Sequence, residues 1–233
     1  MARGAFIIGT ALIVAALAPW GGFAQEEKLE NLQVGVETGT QLIVDIPITH
    51  FEDADTWSVS MPVDQGIIQS MSRRGKPSEV AETDPNDGTK NVYTLGVKVM
   101  FNQRGYARYT VAPPKPIKVP GITKALTVWV TGRNFKHRLF VHIYDYKGSL
   151  MVLDMGLLDF SGWRKRFIPI PTRIEQDNYH NTEWRGISIA GFSVETDPAE
   201  SYGVLYMYLD ELRAISDIYS EEHRDQDDMQ DGW

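Results

Sequence analysis

The sequence predicts an all-β protein, a β-sandwich of antiparallel strands. Three observations indicate this class: apolar and polar residues alternate in many short runs, polar turns separate these runs at regular spacing, and no stretch of roughly 12 residues beyond position 24 shows a helical stripe. Among 233 residues, 42% are hydrophobic and 23% are charged, which is the composition of an ordinary globular protein. No internal repeat is visible, so we predict one sandwich domain over residues 41–218.

The first 24 residues have the pattern of a secretory signal peptide. A positive charge near the start precedes an apolar run over residues 5–18, and small residues stand before the predicted cleavage point between Ala24 and Gln25. We predict a signal helix in this segment and a lead segment over residues 25–40. The apolar run is shorter than the ~20 residues that a membrane-spanning helix needs, so we expect an exported protein without a membrane anchor.

The strand pattern appears in eight runs, which in chain order are 42–48, 91–101, 125–131, 138–144, a run from Leu150, 163–170, 186–194 and 203–215. The first is rich in β-branched residues, and the third places Leu126, Val128 and Val130 on one face. The turn at 145–148 joins the fourth run to the fifth, as in a β-hairpin. Some runs exceed the roughly five or six residues of a typical strand, so we expect bends or bulges inside them.

Three polar stretches interrupt or follow the strands. Residues 73–90 are rich in Gly, Pro, Asp and Ser, which predicts a long surface loop. Residues 112–116 contain three prolines and predict a stiff, extended connector between two strands. Residues 219–233 contain six acidic residues and no apolar periodicity, so we predict a disordered acidic C-terminal tail.

The charge and the missing cysteines exclude several classes of protein. With 31 acidic and 23 basic residues the net charge is −8, whereas nucleic-acid binding needs a basic face. The lack of cysteine removes disulfide scaffolds and Cys-ligated zinc. The histidines form no zinc-protease pattern, and His137 and His142 would point to opposite faces of a strand. We predict a protein that is not an enzyme; an exported hydrolase with paired carboxylates is the alternative.

Tyrosines occupy a strand face on which polar side chains are normally found. In the run 203–212, alternate positions from Leu205 are aliphatic, while Tyr206 and Tyr208 take the opposite face. Because the outward face of a sandwich strand is usually polar, the two tyrosines indicate an interaction surface for a glycan ring or a protein neighbour. The other interpretation is that loops cover both faces of this strand.

Two acidic segments lie near the first and last predicted strands. One is Phe51-Glu52-Asp53, and the other is Leu209-Asp210-Glu211-Leu212. If the first and last strands meet at one edge of a sheet, these carboxylates and nearby backbone carbonyls offer the oxygen ligands that calcium prefers. Solvated acids at strand ends are the other interpretation.

The second half of the sequence resembles a known family. The residues that carry the resemblance are 116–134, which include Thr127-Val128-Trp129-Val130-Thr131-Gly132, then 139–148, 158–163 and 203–212. They resemble the spirochaete flagellar filament outer-layer (sheath) proteins, the FlaA family. The same order of elements is similar to the jelly-roll β-sandwich of carbohydrate-binding modules, a galactose-binding-like fold.

The resemblance implies a structural role in the periplasm. A protein of this family is implied to be a non-enzymatic subunit of the periplasmic flagellum that coats the flagellin core and affects filament stiffness, curvature and motility. The implied partners are flagellin core subunits, other sheath proteins and further copies of the chain in a lattice. The jelly-roll pattern implies Glu52 and Asp210 as ligands of a structural calcium ion, and no other cofactor is expected.

For such a role we predict an interface of exposed aromatic side chains and loop charges. The predicted residues are Tyr206 and Tyr208, with Arg133, Lys136 and His137 from the loop after Trp129. Head-to-tail contacts between copies would build an open helical array. The alternative function is a periplasmic carbohydrate-binding module with a concave aromatic platform.

Overall fold

Thirteen β-strands in two antiparallel sheets make up the part of the chain that the structure describes. This structure is a computed structural model, and the described residues are 37–38, 41–177 and 186–218, all within the unit Val34–Trp233. The predicted signal peptide with its cleavage point, most of the lead segment and the predicted acidic tail lie outside the described residues. Among the described residues, no helix has the length and apolar character needed to cross a bilayer.

Strand bounds follow the alternation in the sequence closely. In chain order the elements are β1 Glu37–Thr38, β2 Gln41–Thr49, a 3-10 turn Ala54–Thr56, β3 Ser58–Ser60, β4 Gly66–Arg74, β5 Tyr93–Phe101, β6 Arg108–Ala112, β7 Ile117–Lys118, β8 Ile122–Arg133, β9 Arg138–Tyr144, β10 Leu150–Leu157, β11 Ser161–Pro169, β12 Ser188–Glu195 and β13 Val204–Asp217.

The two sheets form a β-sandwich of the jelly-roll type, as predicted. In the seven-stranded sheet the order is β1-β2-β13-β5-β4, with β8 pairing β13 and β11 pairing β8. In the six-stranded sheet it is β10-β9-β12-β6-β3, with β7 also pairing β12. All of the strand pairs in the described part are antiparallel, and many join strands distant in sequence, which is characteristic of sandwiches.

The core lies between the inner faces of the two sheets. Leu126, Val128 and Val130 of β8 are fully buried, as are Leu139 and Val141 of β9. The two-residue period of a strand places these apolar residues on one face, and burying each contributes about 1.5–3 kcal/mol relative to exposure. The predicted hairpin is present: β9 pairs β10, and Gly148 in the turn has a φ of 81°, a left-handed value that favours glycine.

Strand β13 changes its neighbour half-way along its length. Its first half, Val204–Leu209, pairs with β5, and its second half, Leu212–Asp217, pairs with β2. The register against β8 shifts between Asp210 and Arg213, and Glu211 has a φ of 47°. This irregularity is the β-bulge expected in a strand of 14 residues. It brings Asp210 and Glu211 to the place where β2 ends and β5 begins.

Two features differ from the sequence prediction. The strands β3, β4 and β6 were not predicted, because β3 and β6 are short and β4 has a weak alternation in which Ser70 and Ser72 are half-buried. The stretch 73–90 is not wholly a surface loop: β4 continues to Arg74, and Asp84 is buried at 5% exposure. This loop folds back over the junction of β2 and β13.

Candidate functional site

A cluster of charged side chains lies at the bulge of β13, and we call it the acidic corner. Its residues come from β2 and the turn after it, from the loop between β4 and β5, and from β13: Asp45, His50, Glu52, Asp84, Asp87, Asn91, Asp210, Glu211 and Arg213. Six of these carry carboxyl groups, whereas only His50 and Arg213 are cationic. The corner therefore has an excess of negative charge, much of it buried.

His50 joins the loop to the sheet. Its side chain is 7% exposed, its Nδ1–H donates to Glu211 Oε1 at 2.6 Å, and its Nε2–H donates to Asp87 Oδ2 at 2.9 Å. The hydrogen bond with Glu211 raises the pKa of His50 to about 9, and that with Asp87 adds to it, although burial acts in the opposite direction. At neutral pH the imidazole is therefore charged and holds Asp87 and Glu211 together.

Arg213 makes the second set of cationic contacts. Its Nε–H donates to Asp45 Oδ1 at 3.0 Å, and its Nη1–H groups donate to Asp84 Oδ2 and to Glu211 Oε2. Burial alone would raise the pKa of the Glu211 carboxyl, but the hydrogen bonds from His50 and Arg213 outweigh burial and lower it. Glu211 is thus an ionised, buried carboxylate with two cationic partners.

The carboxylates of Asp84 and Asp87 form a possible metal set with His50, since the ligand atoms of the three residues lie within 4.8 Å of one another. Each of these side chains already has a partner. Arg213 donates to Asp84, and His50 donates to Asp87. A metal ion at this place would have to displace a proton of the His50 imidazole, and the positive charge of Arg213 would repel it. This set of three residues is therefore poorly suited to a cation.

Asp210 is the most deeply buried acid of the corner, and among the described residues no cationic side chain donates to it. The side chain is 0% exposed, and Oδ1 accepts the Glu211 N–H at 2.9 Å. Its Oδ2 has no hydrogen-bond partner among the described residues, and neither does the buried Oδ1 of Asn91. Burial raises the pKa of Asp210 to about 8, and the charges of Glu211 and Glu52 act in the same direction.

Asp210 Oδ2 and Asn91 Oδ1 are buried oxygens that accept no hydrogen bond from the described residues, and their chemistry is that of cation ligands. Glu52 lies close enough to Asp210 to affect its pKa, and its Oε1 is fixed by the N–H groups of Val92 and Tyr93. The donor set of carboxylates and an amide oxygen is of the hard type that calcium prefers. In one respect the sequence expectation needs correction: β2 and β13 do pair, but β13 is interior to its sheet, so they do not meet at an edge.

On the outer face of the seven-stranded sheet lies a second region, which we call the basic–aromatic face. Shallow depressions there are lined by aromatic, basic and small apolar side chains, and the lining of these three depressions contains no acidic residue: Gln69, Met71, Arg73, Arg74, Lys76, Lys98, Arg133, Phe135, Trp163, Val204, Tyr206 and Tyr208. This region is therefore positively charged, although the whole chain has a net charge of −8.

Strand register aligns the rings across the sheet. Tyr208 of β13 lies opposite Gly96 of β5, and Gly96 lies opposite Met71 of β4. A Cβ at Gly96 would come within 3.1 Å of the Tyr208 ring and 3.0 Å of Arg73 Cγ, so the glycine lets both side chains pack closely against β5. On the other side Trp163 of β11 has its ring centroid 6.4 Å from that of Tyr208. The result is a short row of two rings, Trp163 and Tyr208, whose planes are tilted by 47°.

Basic side chains stand over these rings. The Lys98 ammonium is 5.8 Å from the centroid of Tyr206, and the Arg133 guanidinium is 6.0 Å from that of Tyr208. Tyr206 is 41% exposed. Within the described part of the chain neither Lys98 nor Arg133 forms an ion pair with a carboxylate, so the face presents uncompensated positive charge next to aromatic surface.

The predicted interface residues do not all lie on this face. Arg133, Tyr206 and Tyr208 do, whereas Lys136 is exposed in the loop between β8 and β9, where its N–H donates to Glu200. His137 is 1% exposed and accepts the Asp197 N–H at Nδ1, so its prediction as an exposed interface residue is wrong. Phe135 stacks on its ring and removes it from solvent.

The fold and the two regions define a jelly-roll β-sandwich that has a buried acidic corner and an open basic–aromatic face. Residues 26–225 match the family described as flagellar filament outer layer protein FlaA. The chain is also 39% identical over 194 residues to a flagellar filament outer layer-like protein of Brachyspira hyodysenteriae, covering 83% of this chain and 88% of that one. The protein therefore belongs to the FlaA family of flagellar filament outer layer proteins.

Solved structures similar to this chain include carbohydrate-binding modules. TmCBM61 in complex with β-1,4-galactotriose is 14% identical, with a TM-score of 0.40 over 72% of this chain and 97% of that one. The family 11 module of the cellulase Lic26A-Cel5E of Clostridium thermocellum is 10% identical, with a TM-score of 0.42 over 75% and 95%. At these values the likeness carries no conclusion about ligand or function.

Proposed function

We propose that this protein is a non-enzymatic subunit of the outer layer around the flagellin core of a periplasmic flagellum, where it contributes to filament stiffness, curvature and motility. The observation that carries the proposal is membership of the flagellar outer-layer family over residues 26–225. The basic–aromatic face supports it, because a coating subunit needs an outward surface that holds a neighbour. Aromatic and arginine side chains are the types enriched at such contacts.

The proposal is tested on purified flagellar filaments. Immunogold labelling of filaments from cells with and without the gene should show gold along the filament only when the gene is present. Bending stiffness, measured from thermal shape fluctuations of the filaments, should fall in the deletion strain. Filaments that carry no label, with the protein recovered only from the rest of the periplasm, would contradict an outer-layer role.

A charge-reversal variant tests whether the predicted loop and face charges take part. We expect Arg133→Glu combined with Lys136→Glu to reduce the amount of protein on filaments by about tenfold, which corresponds to about 1.4 kcal/mol of binding free energy. The thermal unfolding midpoint should not change, because both side chains are exposed. The matched control is Lys115→Glu, an exposed charge reversal in the connector after β6, which should leave decoration unchanged.

The row of rings on the outer sheet also favours a second function, a periplasmic carbohydrate-binding module. Neighbouring aromatic side chains such as Trp163 and Tyr208 suit the apolar faces of sugar rings, and both line shallow depressions of this face. Calorimetric titration of the protein with soluble polysaccharides separates the two functions. Saturable binding that Trp163→Ala abolishes would support the module, and absence of binding would leave the structural role.

We further propose that Asp210 and Glu52, with the amide oxygen of Asn91, hold a structural calcium ion in the acidic corner. Calcium would compensate the negative charge of the ionised Asp210 carboxylate. It would also be bound by the oxygens of Asp210 and Asn91 that accept no hydrogen bond. In its absence a proton must take that place, since burial raises the pKa of Asp210 to about 8. The ion would join the turn after β2, the start of β5 and the bulge of β13.

The calcium proposal is tested by thermal unfolding with and without the ion. At a free concentration 100-fold above its dissociation constant, calcium should stabilise the fold by about 2.7 kcal/mol. We expect Asp210→Asn to abolish this response, while Asp64→Asn, an exposed control, keeps it. If the unfolding midpoint of the chelator-treated wild type is the same with and without calcium, the proposal fails.

A further inference from the structure

The basic–aromatic face needs an acidic partner with aromatic character, and the chain itself contains one. Residues 219–233 include six carboxylates against one arginine, and Trp233 follows them. The face contributes Arg73, Lys98 and Arg133 next to exposed tyrosine rings. Charge and side-chain type are thus complementary between this segment and the face.

The segment and the face are at opposite ends of the same strand. Residue 218 follows the last residue of β13, whereas Tyr206 and Tyr208 lie near its first residue. At about 3.3 Å per residue, residue 218 is about 33 Å from Tyr208 and about 40 Å from Tyr206 along the strand. Fifteen residues extend to about 50 Å at most, so residues 219–233 are long enough to bridge to another molecule.

The acidic corner lies on the path that a return to the same molecule would take. Asp45 and Asp84 accept from Arg213, and Asp87 accepts from His50, between the end of β13 and the tyrosines. Asp87 and Asp45 are 37% and 31% exposed, so an acidic segment running back along β13 would pass close to like charge. The face of a second copy offers the same cations without that repulsion.

We propose that residues 219–233 of one copy bind the basic–aromatic face of the next copy. Because the two contacting surfaces differ and lie at opposite ends of β13, the contact is head-to-tail and leaves both ends of a pair open to further copies. This inference rests on the proposed function for its setting: it supplies the contact by which outer-layer subunits would follow one another along a filament.

Sedimentation velocity of the full chain at low salt tests the contact. The wild type should form concentration-dependent oligomers that dissociate when the salt rises to ~0.5 M, because exposed charges are then screened. Arg133→Glu should weaken association about tenfold, whereas Lys115→Glu should not. A wild type that remains monomeric at several hundred micromolar in low salt would overturn the proposal.

Mixing two defective variants separates a contact between copies from one within a copy. Arg133→Glu keeps its acidic segment, and Asp225→Asn/Asp227→Asn/Asp228→Asn keeps its face, so each alone should associate about tenfold more weakly than the wild type. Mixed at equal concentration, they should form mainly heterodimers, with an affinity about tenfold higher than either variant has for itself, because one intact segment meets one intact face. Monomers in the mixture would refute the head-to-tail contact.

The proposed function and this inference fail in different ways. Loss of oligomers with retained immunogold labelling of filaments would mean that the chain coats filaments through another surface. Oligomers in solution without filament labelling would mean that the contact exists but the outer-layer role does not. A synthetic peptide of residues 219–233 should bind saturably to the full-length variant in which Asp225, Asp227 and Asp228 are replaced. The same peptide should not bind when that variant also contains Arg133→Glu.

Discussion

The two halves of β13 differ in how the charged side chains around them are buried and paired. Around its bulge, Glu211 is buried and contacts both His50 and Arg213 through hydrogen bonds. Nearer its start, Tyr206 is exposed and the cation over it, Lys98, faces solvent. The first setting satisfies nearly every charge internally, while the second leaves positive charge for an external partner. We infer from this contrast that the corner maintains the fold, and it agrees with our proposal that the face binds a partner.

Removing Glu211 should have the largest effect on stability. Glu211→Ala leaves His50, Arg213 and Asn91 without their shared acceptor, and breaking a buried ion pair costs about 3–5 kcal/mol. Chemical denaturation should show this loss. The matched control is Glu195→Ala, which breaks the more exposed pair with Arg108 and should cost less than about 1 kcal/mol. Equal losses in the two variants would mean that the corner is no more important than the surface.

The pH dependence of the free energy of unfolding should show an effect of intermediate size, which comes from His50 in the acidic corner. His50 has a pKa of about 9 in the folded protein and 6.5 unfolded. Its stabilising contribution is therefore fully present below pH 6.5 and is lost as the pH rises towards 9, by about 2–3 kcal/mol in total. We expect His50→Gln to flatten the stability profile between pH 7 and 9. A profile in the variant as steep as in the wild type would assign the slope to another group.

Asp210 should affect the profile at lower pH, in the absence of calcium. Its folded pKa of about 8 lies above the unfolded value of 3.8, so the protonated form favours folding and that advantage is lost as the pH rises between these values. We expect the chelated wild type to lose stability from pH 5 to 8 and Asp210→Asn to lose less. Saturating calcium should give the wild type the smaller slope as well.

The smallest effect on stability is expected on the basic–aromatic face. Lys98→Ala removes an exposed cation above Tyr206, and such surface contacts contribute about 0.5–1 kcal/mol at most. The thermal midpoint should stay within experimental error, while binding of the peptide 219–233 should weaken several-fold in a calorimetric titration. A destabilisation comparable with that of Glu211→Ala would show instead that the basic–aromatic face contributes to the stability of the fold.

Local alternation in the sequence predicts much of the sandwich. The runs that became β8, β9 and β13 have strong apolar faces, and Tyr206 and Tyr208 were placed outward by the same two-residue period. The strand β4 was missed because Ser70 and Ser72 occupy its inner positions. As an edge strand it needs fewer apolar residues than a central one does.

The sequence predicts individual residues of the candidate sites, but not the neighbours that the fold brings beside them. Glu52 and Asp210 were identified as acids near paired strands, and the structure brings them close. The participation of His50 and Asn91 depends on how the loop 75–92 folds back, which no local pattern specifies. The alignment of Trp163 with Tyr208 likewise depends on the register of β11, β8 and β13, which is a long-range property.

The placement of β13 has a mechanical consequence for a protein in a bending filament. Its last residues are hydrogen-bonded on both sides, to β2 and to β8. A pull on residue 218, directed along the strand, loads both ladders in shear, so that many hydrogen bonds resist together instead of opening one after another. Tension applied through residues 219–233 would thus enter the sandwich at the strand best braced to carry it.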